Sequence, residues 1–229
     1  MAGIFYFLDW TWLILIPGLV VSIWAQAKVS RTYAAYESVM SSARVTADNF
    51  VAVMLRQNGV NDVSVSRTAG RLTDHYDPRR HVIRLSDGVF GSASVAAIAI
   101  GGHEAGHALQ HAQKYAPLAV RTALVPVVNV VSQLTFPLLL IGILFSFTPF
   151  ISIAVWAFFA VFVFQLVTLP VELNASKRAL ANISASHVLT EEEQIGAKKV
   201  LNAAAMTYLA AVLTTFLQFV RLLALSRRR

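Results

Sequence analysis

The sequence predicts a mainly α integral membrane protein, with about four transmembrane helices and a small α+β segment between the first and the second. Three observations carry that expectation. The 229 residues are 56% hydrophobic and only 14% charged, against roughly 25% charged residues in an ordinary soluble domain. Thr122 to Val171 is a run of 50 residues without Asp, Glu, Lys or Arg, where one helical crossing needs only about 20. A single stretch, Lys28 to Arg121, has soluble character, and it holds 11 of the 19 Lys and Arg.

The elements follow in chain order. Ile4 to Ala27 carries one charge, Asp9, and is long enough to cross a bilayer, so residues 1–27 read as a retained N-terminal anchor. Ala25-Gln26-Ala27 resembles a signal-peptide cleavage site, but a basic n-region is missing and the apolar run exceeds the usual h-region. Within residues 28–121, Thr46 to Asn58 has helical periodicity and stops at Gly59, while Asp62 to Ser66 and His81 to Ser86 alternate polar and apolar residues as strands do. Asp77-Pro78 marks a turn before the second strand. A helix then starts near Ser92 or Ser94 and runs to about Gln113, with Gly101-Gly102 weakening it for a packing or active-site reason.

Residues 122–171 read as a transmembrane hairpin with spans near 123–145 and 150–170, broken at Phe147-Thr148-Pro149, and with Pro126, Pro137 and Pro170 as kinks or ends. In residues 172–200, Thr190 and Glu193 form a capping box that starts a helix at Glu191. Residues 201–229 supply the last apolar helix, Leu201 to Leu225, and the basic tail Arg227-Arg228-Arg229.

Composition also excludes functions. With no cysteine, the chain has neither a disulfide framework nor a thiolate ligand, so a bound metal must be held by His and carboxylate. The excess of 19 Lys and Arg over 12 Asp and Glu records topology rather than nucleic-acid binding, since aromatic-basic interleaving and known binding motifs are absent. Basic residues cluster in 28–121 and again at Lys177, Arg178, Lys198 and Lys199, with none at the Phe147 turn, so the positive-inside rule places the 28–121 segment in the cytoplasm. The Arg227–Arg229 tail runs against that rule if the last helix crosses fully.

Chemistry enters at His103-Glu104-Ala105-Gly106-His107. Two His at i and i+4 share a helix face and can reach one ion, with the Glu between them placed as a general base. A catalytic zinc takes three protein ligands and keeps a fourth position for water. Glu172 is the leading third ligand: it is the first charged residue after the hairpin, returned by two crossings to the side of His103 and His107, and a carboxylate leaving a membrane helix needs a cation as companion.

The order of these residues resembles the HtpX and CAAX prenyl protease group of membrane gluzincins, whose third ligand lies in E-x-x-A-D. The chain is more similar to the YugP-type bacterial membrane zinc metallopeptidases, through Leu72-Thr73-Asp74-His75-Tyr76-Asp77-Pro78, Val82-Ile83-Arg84-Leu85-Ser86, Gln110-His111-Ala112 and Pro170-Val171-Glu172-Leu173-Asn174-Ala175-Ser176. The resemblance implies a zinc-dependent endopeptidase of the cytoplasmic membrane, with residues 28–121 as a gluzincin-like catalytic segment facing the cytoplasm. Ser176 departs from the HtpX pattern, in which an Asp orients a ligating His. Ser176, Asn174, Asp74 and Asp77 are the candidates for that orienting role.

The expected site is therefore zinc on His103, His107 and Glu172, with Glu104 as base. His75 is a further catalytic candidate that could stabilise the tetrahedral oxyanion, as could Tyr76 or Arg84. His111 reads as helix surface or ligand support, His81 and His187 as solvent-facing, and His81 to Ser86 as a strand that binds extended substrate by strand addition. Expected partners are the lipid bilayer and protein or peptide substrates, with a membrane-protein partner or second copy compatible. The competing readings are a metal-binding membrane adaptor with a structural site, against which Glu104 argues, and a small transporter, against which the uncharged hairpin argues.

Overall fold

The computed structural model describes residues 10–145 and 147–226. Residues 1–9, which include Asp9 and the start of the expected anchor, Ser146, and the Arg227–Arg229 tail lie outside the described residues. Among the described residues six α-helices and three strands follow a 3-10 turn at Trp10–Leu15, in the order α1 Ile16–Glu37, α2 Ala47–Gln57, β1 Ser64–Arg67, β2 His75–Asp77, β3 Val82–Leu85, α3 Val95–Ala112, α4 Ala116–Leu144, α5 Thr148–Ser186 and α6 Glu191–Ser226. Four of the helical stretches are long and apolar enough to cross a membrane: Trp10–Glu37, α4, α5 and α6.

By internal contacts the chain forms two units. The first comprises Met1–Ala25, Val120–Leu169 and Thr207–Arg229, the apolar parts of the long helices. Its large side chains point outward: Phe136 and Trp156 are each 67% exposed and Phe145 76%. In water such a surface would aggregate, so its solvent is lipid. Helices α5 and α6 meet there through large apolar side chains, Val155 with Leu222 and Leu225, whereas the α1–α6 and α4–α5 contacts use small and hydroxyl residues. A Cβ on Gly18 would stand 3.1 Å from Thr214 Oγ1, and Ser22 and Thr214 hydroxyls hydrogen-bond at 3.1 Å. Between α4 and α5, the Phe147 amide donates to the Gly142 carbonyl, and a Cβ on Gly142 would meet Ile151 Cγ1 at 2.7 Å.

Gln26–Ala119 and Pro170–Met206 form the second unit. Its core joins Phe50, Val51, Met54 and Leu55 of α2, Ile83 and Leu85 of β3, Ile98 and Leu109 of α3, and Ile183 of α5. The sequence capping signals hold here. Ser94 accepts from the Ala97 amide at the start of α3, Gly59 takes φ +74° after α2, and Thr190 and Glu193 cap one another reciprocally. Gly101 and Gly102 let α2 close on α3: Cβ atoms there would meet Val51 Cγ2 at 3.0 Å and the Phe50 ring at 3.2 Å.

Three expectations change. The sheet order is β1-β3-β2, with β1 parallel and β2 antiparallel to β3. The His81 to Ser86 strand is thus the central one, hydrogen-bonded on both sides, and cannot take up substrate by strand addition. β2 was read only as the approach to a turn; it is an edge strand, too short to show a two-residue period. The second span does not stop near residue 170, because α5 continues to Ser186 with Pro170 inside it; Pro126 and Pro137, read as kinks or ends, lie inside α4.

Candidate metal centre

The site lies in the second unit and is built from two helices. α3 carries His103 and His107 four residues apart, so the rings sit on one face, their centroids 4.8 Å apart and edge to face. α5 brings Glu172 to them. Its Oε2 lies 3.2 Å from His103 Nε2 and 3.4 Å from His107 Nε2. One ligand atom from each of the three residues falls within 4.8 Å of the others.

Close approach of the two helices follows from Gly106, the second spacer of the motif. A Cβ at that position would stand 2.5 Å from the Ala175 carbonyl oxygen and 3.1 Å from its Cα, contacts that no side chain tolerates. Only glycine admits the α5 backbone at this point, three residues along from Glu172.

Both rings are oriented from behind. His103 Nδ1 lies 3.1 Å from Ser176 Oγ, which settles the open choice for that ring in favour of Ser176. His107 Nδ1 lies 3.0 Å from Gln110 Oε1. The Gln110 amide group donates to the Val171 carbonyl at 2.8 Å and to Asn174 Oδ1 at 2.9 Å, so its oxygen must face the ring. His107 Nδ1–H therefore donates to Gln110, and the Nε2 lone pair is left for an ion. Asn174 Oδ1 also accepts from Arg178 Nε at 2.7 Å, which ties this support to a cation on the next turn of α5.

Burial sets the electrostatics. Glu172 is 3% exposed, and Glu104 and His107 each 9%. Burial, the largest influence on His107, favours its neutral form, but Glu172, Glu104 and Gln110 together outweigh it and raise its pKa. Two imidazole nitrogens and a carboxylate, with each ring hydrogen-bonded from behind through its Nδ1, are the donor set of a catalytic zinc. Glu104 follows His103 directly, and its carboxylate receives no hydrogen bond from a described residue.

Other residues singled out by sequence fall elsewhere. His75 opens β2, exposed, with Nδ1 2.8 Å from the Thr73 carbonyl; a carbonyl only accepts, so Nδ1 carries the proton. Arg84 is its register partner on β3. Tyr76 hydroxyl and His111 Nδ1 are 2.8 Å apart, and the Tyr76 phenol is pushed up to about 12 by burial. His81 is bound to Asp62 at 2.6 Å, and His187 is exposed. Asp74 accepts from the amide and hydroxyl of Ser86, and Asp77 from the amides of Arg79 and Arg80, so neither orients a ligating ring.

Sequence reasoning missed the work of Gln110. A signal was present: a polar side chain three residues after His107, on the apolar helix that carries the motif, must be hydrogen-bonded if buried, and i, i+3 spacing points it at that histidine.

Lipid-facing helices joined to a buried His-His-Glu cluster define the class: a membrane zinc metallopeptidase. The chain belongs to the family described as "Putative neutral zinc metallopeptidase", whose sequence model matches residues 11–227. It is 42% identical over 206 residues, 90% of this chain and 92% of the relative, to a Bacillus subtilis (strain 168) protein named "Putative membrane protease YugP". No solved structure matches it.

Proposed function

We infer that this chain is a zinc-dependent endopeptidase that cuts membrane-associated proteins at the cytoplasmic face of the bacterial cytoplasmic membrane. The observation that carries this reading is the convergence of Glu172 Oε2 on both motif imidazoles, 3.2 Å from His103 and 3.4 Å from His107, with the Glu104 carboxylate outside that group of three. A purely structural site has no use for Glu104 and would be closed by a fourth ligand.

His103, His107 and Glu172 would hold the metal. Bound zinc supplies Lewis acidity, acidifying the attacking water and polarising the scissile carbonyl. Glu104 accepts the proton of that water as its oxygen bonds to the carbonyl carbon. When the C–N bond breaks, Glu104 returns the proton to the leaving amine, so no net proton is consumed. Ser176 and Gln110 hold the rings against rotation through the cycle. His75, which opens β2, is the proposed oxyanion donor.

We place extended substrate along β2, the one of the two edge strands that packs against α3. An edge offers main-chain hydrogen bonds without demanding particular side chains, which suits a protease acting on varied tails. The cytoplasmic placement rests on the concentration of Lys and Arg in the chain between the first and second apolar helices.

The test is cleavage of casein by purified protein, abolished by chelator and restored by zinc. Glu104→Gln is expected to keep stoichiometric zinc while kcat falls by about 10²–10⁴-fold. Full proteolysis by zinc-loaded Glu104→Gln protein would show that the general base is another group.

A further inference from the structure

Two further histidines stand together outside the metal centre. His81 closes the turn between β2 and β3, and His111 lies in the last turn of α3, one turn beyond His107. Their rings are edge to face with centroids 5.5 Å apart, the relation that His103 and His107 have at 4.8 Å. Two imidazoles that share one tetrahedral ion, at bonds of about 2.1 Å, have centroids roughly 5.3 Å apart.

Each ring is held through one nitrogen. His81 Nδ1 lies 2.6 Å from Asp62 Oδ2, and His111 Nδ1 lies 2.8 Å from the Tyr76 hydroxyl. An ionised carboxylate only accepts, so His81 Nδ1 carries a proton, and in the neutral ring Nε2 keeps its lone pair. The Tyr76 oxygen can accept from His111 in the same way. Neither Nε2 has a hydrogen-bond partner among the described residues. A carboxylate or hydroxyl behind Nδ1, with Nε2 open, is how a protein orients imidazole for a metal, and Ser176 and Gln110 occupy the same position behind His103 and His107.

Charge also favours a cation here. The Asp62 carboxyl is held below its ordinary range chiefly by the His81 hydrogen bond, and the charge of His111 acts in the same direction. Burial first, then the charges of Asp62 and Asp77, push the Tyr76 phenol up, so both carboxylates act on the cluster while the phenol stays neutral. We propose that His81 and His111 form a second metal site, for a divalent transition ion such as zinc, with water in the remaining positions and with Asp62 and Tyr76 orienting the rings. An ion held there pins the β2–β3 turn to the end of α3. The site is distinct from the metal centre, whose ligands are His103, His107 and Glu172. Two imidazoles bind more weakly than that triad, so the second ion is present under excess metal and lost on desalting.

The test is equilibrium dialysis of the purified full chain, in detergent, against rising zinc, with circular dichroism alongside. The parent should bind a second zinc in a separate, weaker step. His111→Ala should keep the tight step and lose the weak one, and so should His81→Asn. Asn is chosen because His81 has φ +51°, a backbone that Asn adopts more readily than Ala. Asp62→Asn, which leaves both imidazoles in place, should weaken the second step by about 10–100-fold. His187→Ala, which removes an exposed imidazole elsewhere, should change neither step. Glu172→Gln should lose the tight step and keep the weak one, so this site and the peptidase centre fail separately. Should His81→Asn lose helical signal, His111→Ala decides, because it replaces an exposed helical residue with the best helix former. A parent that saturates without a weak step overturns the site. So does a weak step that survives both His81→Asn and His111→Ala, or one that disappears with His187→Ala.

Discussion

His107 reaches an ion only if its proton sits on the far nitrogen, and a single side chain enforces that. Gln110 is fully buried and spends both amide hydrogens on Val171 and Asn174, leaving its oxygen no partner but the ring. Gln110→Leu keeps the volume and removes the constraint, and zinc affinity should fall about 10–100-fold by competitive chelation, with catalysis following zinc occupancy. Tyr76 gives a prediction in pH. Its phenol, raised by burial to about 12, lies above the ordinary value near 10, so the neutral form stabilises the fold below pH ~10 and that contribution is lost as pH climbs toward ~12. Thermal melts between those limits should fall more steeply for the parent than for Tyr76→Phe; parallel curves would mean that the phenol titrates normally. The grouping of His103, His107 and Glu172 was legible in sequence, because motif spacing and the number of crossings bring the three to one side. Tyr76–His111 pairing was not, because it joins a strand to a helix across 35 positions with no periodic relation.

At the scale of elements, the centre exists because two helix backbones nearly touch. Gly106→Ala inserts a Cβ 2.5 Å from the Ala175 carbonyl oxygen, and backbone cannot swing aside as a side chain can. The helices must separate, at a cost of about 1–3 kcal/mol, and the separation acts on Glu172 directly. The expected result is a lower melting temperature together with weaker zinc binding; an unshifted melt with full zinc would show that α3 and α5 have slack here. Helix positions were readable where local chemistry marks them: Ser94 and Thr190 as caps, Gly59 as a stop. The end of α5 was not. Pro170 reads in sequence as a kink or an end, but the structure carries α5 sixteen residues past it. The sheet order was equally hidden, since alternation identifies a strand and says nothing of its neighbours.

For the whole molecule, one chain serves two solvents. Apolar stretches of four helices present their side chains outward, and the segments between and beyond them form a folded unit with its own core and a metal centre. Fold class and span count were open to sequence reasoning because bilayer thickness imposes a length on every crossing. The sequence reading of Glu172 as third-ligand candidate rested on counting crossings, and the helix pair adds what counting cannot supply, a register that puts Glu172 opposite both imidazoles. The most direct measurement is zinc stoichiometry, by elemental analysis of purified Glu172→Gln beside the parent, each with its circular dichroism and casein cleavage. The account predicts one zinc per chain in the parent, near none in the variant at equal helicity, and no chelator-sensitive cleavage without it. A folded Glu172→Gln protein that kept its zinc and its proteolysis would contradict the account, because the ion would then be held without α5.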